Sequence, residues 1–150
     1  MKIRILSSTP AATSSERNEY SSTGLYATRN HIPLIARILL SALFLWSGIG
    51  KILHPAATQE YMASYGMPLT SIFLIAAIAI ELLGGLSVLL GYKTRLGAIG
   101  LSIFLMIATL IFHTDFSDQV QQIMFMKNLS ILGGLLLIIQ HGPGNIALRI

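Results

Sequence analysis

The sequence predicts an all-α fold, a four-transmembrane-helix bundle with both termini cytoplasmic, and three observations carry that expectation. Hydrophobic residues make up 53% of the 150 positions and charged residues 11%, with a mean hydropathy of +0.70, against roughly 25% charged in an ordinary soluble domain. Four apolar stretches each approach the roughly 20 residues that cross a bilayer core of about 30 Å. The cations outside those stretches gather on one side of them. A soluble globular protein and a disordered chain are both excluded, since disorder requires few apolar residues and much charge. The length suits a single domain.

The first segment, residues 1-32, has ten Ser or Thr, mixed charges and no apolar periodicity, and reads as a disordered Ser/Thr-rich tail. Lys2 and Arg4 are followed at once by Ser7, Ser8, Thr9 and Pro10, so no apolar run of a secretory signal forms. The membrane domain is expected over 33-145. Its first span runs from Pro33, placed at a helix start where a missing N–H does no harm, to about Ile52. The second runs from about Leu69 to Gly91, the third from about Leu96 to His113 and the fourth from about Gln122 to Gln140. Tyr92 to Arg95 makes a tight connection, and Pro143 between Gly142 and Gly144 ends the last helix, leaving 146-150 as a C-terminal tail. Lys2, Arg4, Arg17, Arg29, Lys93, Arg95 and Arg149 fall on the side of the termini, with Lys51 and Lys127 opposite. That asymmetry places both ends inside.

The net charge of +4 therefore reports topology. No basic run with interleaved aromatics is present, so no nucleic acid is expected as a partner. The absence of cysteine removes thiolate nucleophiles, iron–sulfur clusters and thiolate zinc sites. Two His pairs, His31 with His141 and His54 with His113, lie outside the spans without helical ligand spacing, so neither metal nor haem is expected.

Charge at membrane depth needs a partner or a purpose. Glu81 stands about ten residues from the inner end of its span, roughly 15 Å deep. Its helical neighbours Ala77, Gly84 and Gly85 let another helix approach, so it should face the bundle. Arg37, about 6 Å above the inner edge, is the preferred partner, ahead of Lys51 at about 27 Å. An Arg37–Glu81 pair that fixes the first span on the second is one reading; a proton-handling carboxylate is the other. A second cluster is expected at the outer surface, where the alternating topology brings Lys51, His113, Lys127 and Asn128 to similar depth. Stripes behind them (Ser41, Phe44, Ser47 and Gly48; Ala98, Ser102, Met106 and Thr109; Ser130, Gly133 and Gly134) describe a small-residue seam opening into a polar mouth. Such a mouth suits a quinol headgroup, with Glu81 and His113 as proton-handling catalytic residues and Lys51, Lys127 and Asn128 as cofactor-binding ones. Helix-end anchoring of the same residues is the plain alternative.

Taken in order, RILLSALFLWSGIGK, ELLGGLSVLLGYKTRLGA, Phe112–His113 and MKNLSILGGLLL followed by GPG resemble the DoxX-like family of small integral membrane proteins, over about residues 33 to 145. The resemblance implies a four-helix membrane bundle in a bacterial cytoplasmic membrane. It also implies relatives similar to small subunits of quinol or thiosulfate:quinone oxidoreductases, and others that act as assembly factors. The expected function is an accessory subunit of a quinone-linked membrane oxidoreductase, with quinone or quinol as the cofactor and a membrane oxidoreductase complex and the lipid bilayer as partners. The alternative is a non-catalytic scaffold or assembly factor for a partner complex.

Overall fold

In hydrocarbon no water pairs with backbone N–H and C=O groups, so long apolar stretches satisfy them internally as helices. The computed structural model describes residues 14–148, with side chains from His31 onward. It contains α1 (Ser14–Leu53), α2 (Pro55–Ser64), α3 (Thr70–Leu90), α4 (Thr94–Phe112) and α5 (Gln119–His141), and no strand among the described residues. Four stretches are long and apolar enough to span: His31–Leu53, Thr70–Leu90, Thr94–Phe112 and Gln119–His141. All four expected spans are therefore present, and the all-helical bundle stands.

Three features differ from the expectation. Helix α1 begins at Ser14, well inside the segment read as a tail, and residues 1–13 lie outside the described part. Once the apolar span nucleates a helix, each further residue adds a hydrogen bond at low cost, and residues 14–32 hold no proline to stop it. Pro33 accordingly lies inside α1 rather than at its start, where it removes one hydrogen bond from the ladder. The third difference is α2, which the sequence reading missed: ten residues with Pro55 in its first turn. Its composition is neither apolar enough for a span nor periodic enough for an amphipathic signal.

Local chemistry sets the ends of the other elements. Gly91 and Gly142 terminate α3 and α5 with φ of 80° and 76°, and their N–H groups return to Ser87 O and Ile138 O. The Asp118 side chain caps α5 by accepting from Val120 N.

The principal packing runs α1 on α3, α3 on α4 and α4 on α5, with a lighter contact between α5 and α1. Phe44, Val88, Ala98, Leu101, Leu105, Leu135 and Ile138 form the core. Small residues set the helix separation, and the two neighbours Gly84 and Gly85 serve opposite partners. A Cβ at Gly84 would lie 2.7 Å from Leu101 Cγ on α4, and one at Gly85 would lie 2.9 Å from Leu45 Cδ2 on α1. Bilayer helices gain their stability from such close contact, since lipid supplies no hydrophobic drive between them.

Not every glycine is structural in this sense, because Gly133 has nothing within 4 Å of its would-be Cβ. Gly84→Ala should therefore lower stability by about 1 to 3 kcal/mol through overpacking. Gly133→Ala should leave it unchanged or slightly raised. Thermal unfolding in mild detergent checks both; equal loss in the two variants would contradict the packing described.

Candidate functional site

Glu81 is the one acidic residue in the middle of a span, and it shares a buried face of α3 with Leu74, Ala77, Gly85 and Val88. On α1 the facing position is Gly48, whose would-be Cβ lies 3.4 Å from Glu81 Cβ, so the two backbones come close at the carboxylate's level. One turn further along α1, Lys51 turns back toward that level. Its Nζ donates to Glu81 Oε2 at 2.9 Å, to Oε1 at 3.0 Å and to Ser47 Oγ at 2.7 Å. The Ser47 hydroxyl donates in turn to Glu81 Oε1 at 3.1 Å. All three ammonium protons thus have acceptors. The pair is nearly sealed, with side-chain exposures of 19% for Lys51 and 4% for Glu81.

The preferred Arg37–Glu81 pair is corrected by this geometry. Arg37 is buried but faces the last turn of α3, donating from Nη2 to Leu89 O at 2.9 Å. Leu89 lies eight residues from Glu81, roughly 12 Å along the helix, beyond the side chain's reach. From Nη1 the same guanidinium donates to Pro143 O at 2.6 Å and Ile146 O at 2.7 Å. Arg37 thereby ties α1, the end of α3 and the segment after α5, and Leu148 N closes the strap on Leu90 O at 3.0 Å. A cation beside terminal carbonyls satisfies groups that a helix end leaves open. Depth arithmetic misassigned the partner because it measured each helix from a common plane. In the structure Gly48 stands level with Glu81, which leaves Lys51 only one turn beyond the carboxylate.

The expected convergence of Lys51, His113, Lys127 and Asn128 does not form. Lys51 is held by Glu81. His113 Nδ1 pairs with Gln121 Oε1 at 2.7 Å. Asn128 is buried between α4 and α5, donating to Thr109 Oγ1 at 2.9 Å, while Lys127 is exposed with its Nζ 3.0 Å from Met124 Sδ. Successive residues on a helix point about 100° apart, so Lys127 and Asn128 cannot both face inward. For the same reason the inward stripe of α5 is Asn128, Leu135 and Ile138 rather than Lys127, Ser130 and Gly133, and Met106 on α4 is 50% exposed. The stripe of Ser41, Phe44 and Gly48 is buried as expected. A cavity of about 120 Å³ sits beside Asn128, between Leu105, Leu110, Phe125 and Leu132. No group of three metal-capable side chains occurs among the described residues.

A second assembly, unforeseen as a unit, joins α2 to the ends of α4 and α5. Tyr61 and Tyr65, one turn apart, pack on Phe112 with ring centroids 5.3 and 5.1 Å away. Gln121 bridges from His113 to the Tyr65 hydroxyl, the latter at 3.5 Å. The Tyr61 phenol is pushed up to about 12, first by burial and then by its hydrogen bond with Tyr65. The available signal was the Tyr-x-x-x-Tyr spacing, one helical turn, next to a proline that starts a helix.

The DoxX family model matches residues 32–114, more than half of the chain. The chain belongs to the DoxX family. It is 43% identical over 111 residues to the inner membrane protein YqjF of Escherichia coli K12, covering 74% of this chain and 84% of that protein. It is 34% identical over 128 residues to the inner membrane protein YphA of the same organism, covering 81% and 91%. No solved structure matches. With four span-capable helices, this DoxX-family chain is an integral, multi-pass inner-membrane protein. The family match takes in Arg37, Ser47, Lys51, Glu81 and His113 and stops short of the fourth span.

The pairing makes a direct prediction for a double-mutant cycle. Lys51→Met alone should destabilise by about 3 to 5 kcal/mol, because it strands a buried carboxylate, and adding Glu81→Gln should recover most of that loss. Arg37→Met combined with Glu81→Gln should instead be additive within about 0.5 kcal/mol. Coupling of Arg37 rather than Lys51 to Glu81, measured by unfolding in detergent, would contradict the assignment. For Tyr61 the folded state holds the phenolic proton more tightly than the unfolded chain does. Its contribution is therefore present below the ordinary value of 10.0 and fades as pH rises toward about 12. Ultraviolet titration should show a late-ionising phenol that Tyr61→Phe removes.

Proposed function

We propose that this DoxX-family protein acts as a non-catalytic membrane module, a scaffold or assembly factor that holds a partner complex in the inner membrane. The observation that supports this reading is that the polar groups best placed for chemistry are occupied within the fold. Lys51 is bound to Glu81 and Ser47, His113 to Gln121 and Asn128 to Thr109. A general base or charge stabiliser has to reach a substrate atom, and these groups reach one another. The cavity beside Asn128 is lined mostly by apolar side chains, and its two polar lining residues, Asn128 and Thr109, are hydrogen-bonded to each other, so neither is poised for a polar headgroup.

A second reading, an accessory subunit of a quinone-linked oxidoreductase, is favoured by one observation, the chain from His113 through Gln121 to Tyr65 beside the Phe112 ring. In that reading a quinol hydroxyl would meet His113 and the tyrosines. Lys127 and Asn128 take no part, and Glu81 would have to separate from Lys51 before handling a proton.

Purification from the native host in mild detergent, with mass spectrometry of co-eluting proteins and lipids, distinguishes the two. The scaffold reading expects a protein partner in fixed stoichiometry, no enrichment of quinone, and a partner level in the membrane that falls on deletion of this chain. The charge-free Lys51→Met/Glu81→Gln variant should restore that level. Enriched quinone, together with loss of quinol-dependent respiration in His113→Ala, would replace it with the second reading.

A further inference from the structure

We propose that α2 is a hinged lid across one end of the bundle, held shut by the Tyr61–Tyr65–Phe112 latch, and that its opening admits water to Lys51. The inference is independent of either functional reading. Four observations lead to it. First, α2 is joined to α1 through the single non-helical residue His54, followed by Pro55, which fixes the start of a new helix. At its other end the chain passes through Gly66 with φ of 75° and Leu69 with φ of 52°, so both connections turn sharply within a few residues.

Second, the helix has little to hold it down, since Met62 is its one buried residue. Segments with few buried apolar contacts open at free energies far below global unfolding. Third, the contacts that remain are concentrated in one place. Besides its seat on α3, α2 reaches α4 through Phe112, on which Tyr61 stacks and Tyr65 packs edge-on, and α5 by the long Gln121–Tyr65 contact. Phe112 is the residue those ring contacts share, and aromatic pairs of this kind are directional and separable from simple burial. Fourth, Lys51 sits one turn before the hinge, and its amine spans the seam from α1 to Glu81 on α3. From that hinge α2 rests on α3, the helix that carries Glu81. The Lys51 side chain keeps 19% exposure even with the lid shut, against 4% for Glu81.

Hydrogen–deuterium exchange on the full chain in mild detergent, read alongside reductive methylation of the Lys51 amine, tests the lid. In the parent protein the amides of residues 55–65 should exchange ahead of those in α3 and α4. Phe112→Ala should accelerate the α2 amides by about tenfold or more, leave residues 77–88 and 98–105 unchanged, and raise Lys51 methylation several-fold. Phe116→Ala, which removes a ring packed on Phe125 5.1 Å away but outside the latch, should change neither readout. Unchanged α2 exchange in Phe112→Ala, acceleration spread equally through the bundle, an equal effect of Phe116→Ala, or faster exchange without faster Lys51 methylation would each overturn the proposal.

Discussion

Hydrocarbon tolerates a carboxylate only when its charge is answered within reach, and the arrangement of α1 on α3 follows from that constraint. Glu81 lies in the middle of α3 with its side chain 4% exposed, and Lys51 with Ser47 supplies its hydrogen bonds. For the ammonium to arrive, α1 must approach closely, which Gly48 and Gly85 allow, and must bring Lys51 within one turn of Glu81's level. Beyond Lys51 the chain breaks at His54 and continues as α2, which packs on α3. An ion pair of this kind adds little net stability relative to an apolar replacement, yet strongly penalises the loss of one partner. Its effect here is on register: sliding α1 along α3 by one turn would leave both charges unanswered.

Arg37 performs the corresponding task at the opposite end with different chemistry. Its planar guanidinium donates to three carbonyls in two directions, a geometry that a lysine could not reproduce. The carbonyls it meets belong to the last turn of α3 and to the chain that leaves α5, groups with no partner in their own helices. One cation therefore closes the bundle where the termini emerge, and another sets the register in its interior. Between them the core is mostly apolar, from Phe44 to Leu135, with the buried Asn128–Thr109 hydrogen bond joining α4 to α5.

Much of this was legible in the sequence, and the parts that were not share a cause. The four spans follow from hydropathy and length, since a bilayer fixes both. Glu81 stood out because ionisable residues at that depth are rare. Its partner did not, because residue depth counted along each helix presumes helices that start flush, and the offset of α1 against α3 arises in packing. The same gap explains the outer cluster, where sequence places Lys127 and Asn128 side by side but helical rotation sends one inward and one outward. Helix α2 was hidden because ten residues of mixed polarity carry no periodic signal, and its tyrosines acquire meaning only beside Phe112, which is distant in sequence. The start of α1 at Ser14 reflects propagation from a stable span, which composition does not reveal.

The most direct test of the account is the proximity of Lys51 Nζ to the Glu81 carboxyl in a bilayer. Dipolar-recoupling solid-state NMR on protein labelled at lysine and arginine side-chain nitrogens and at the glutamate carboxyl carbon, with Lys51→Met to assign the signal, measures it. A strong coupling at hydrogen-bonding range, absent in Lys51→Met, is the predicted result. A Glu81 carboxyl coupled instead to the Arg37 guanidinium, or to no side-chain nitrogen, would contradict it.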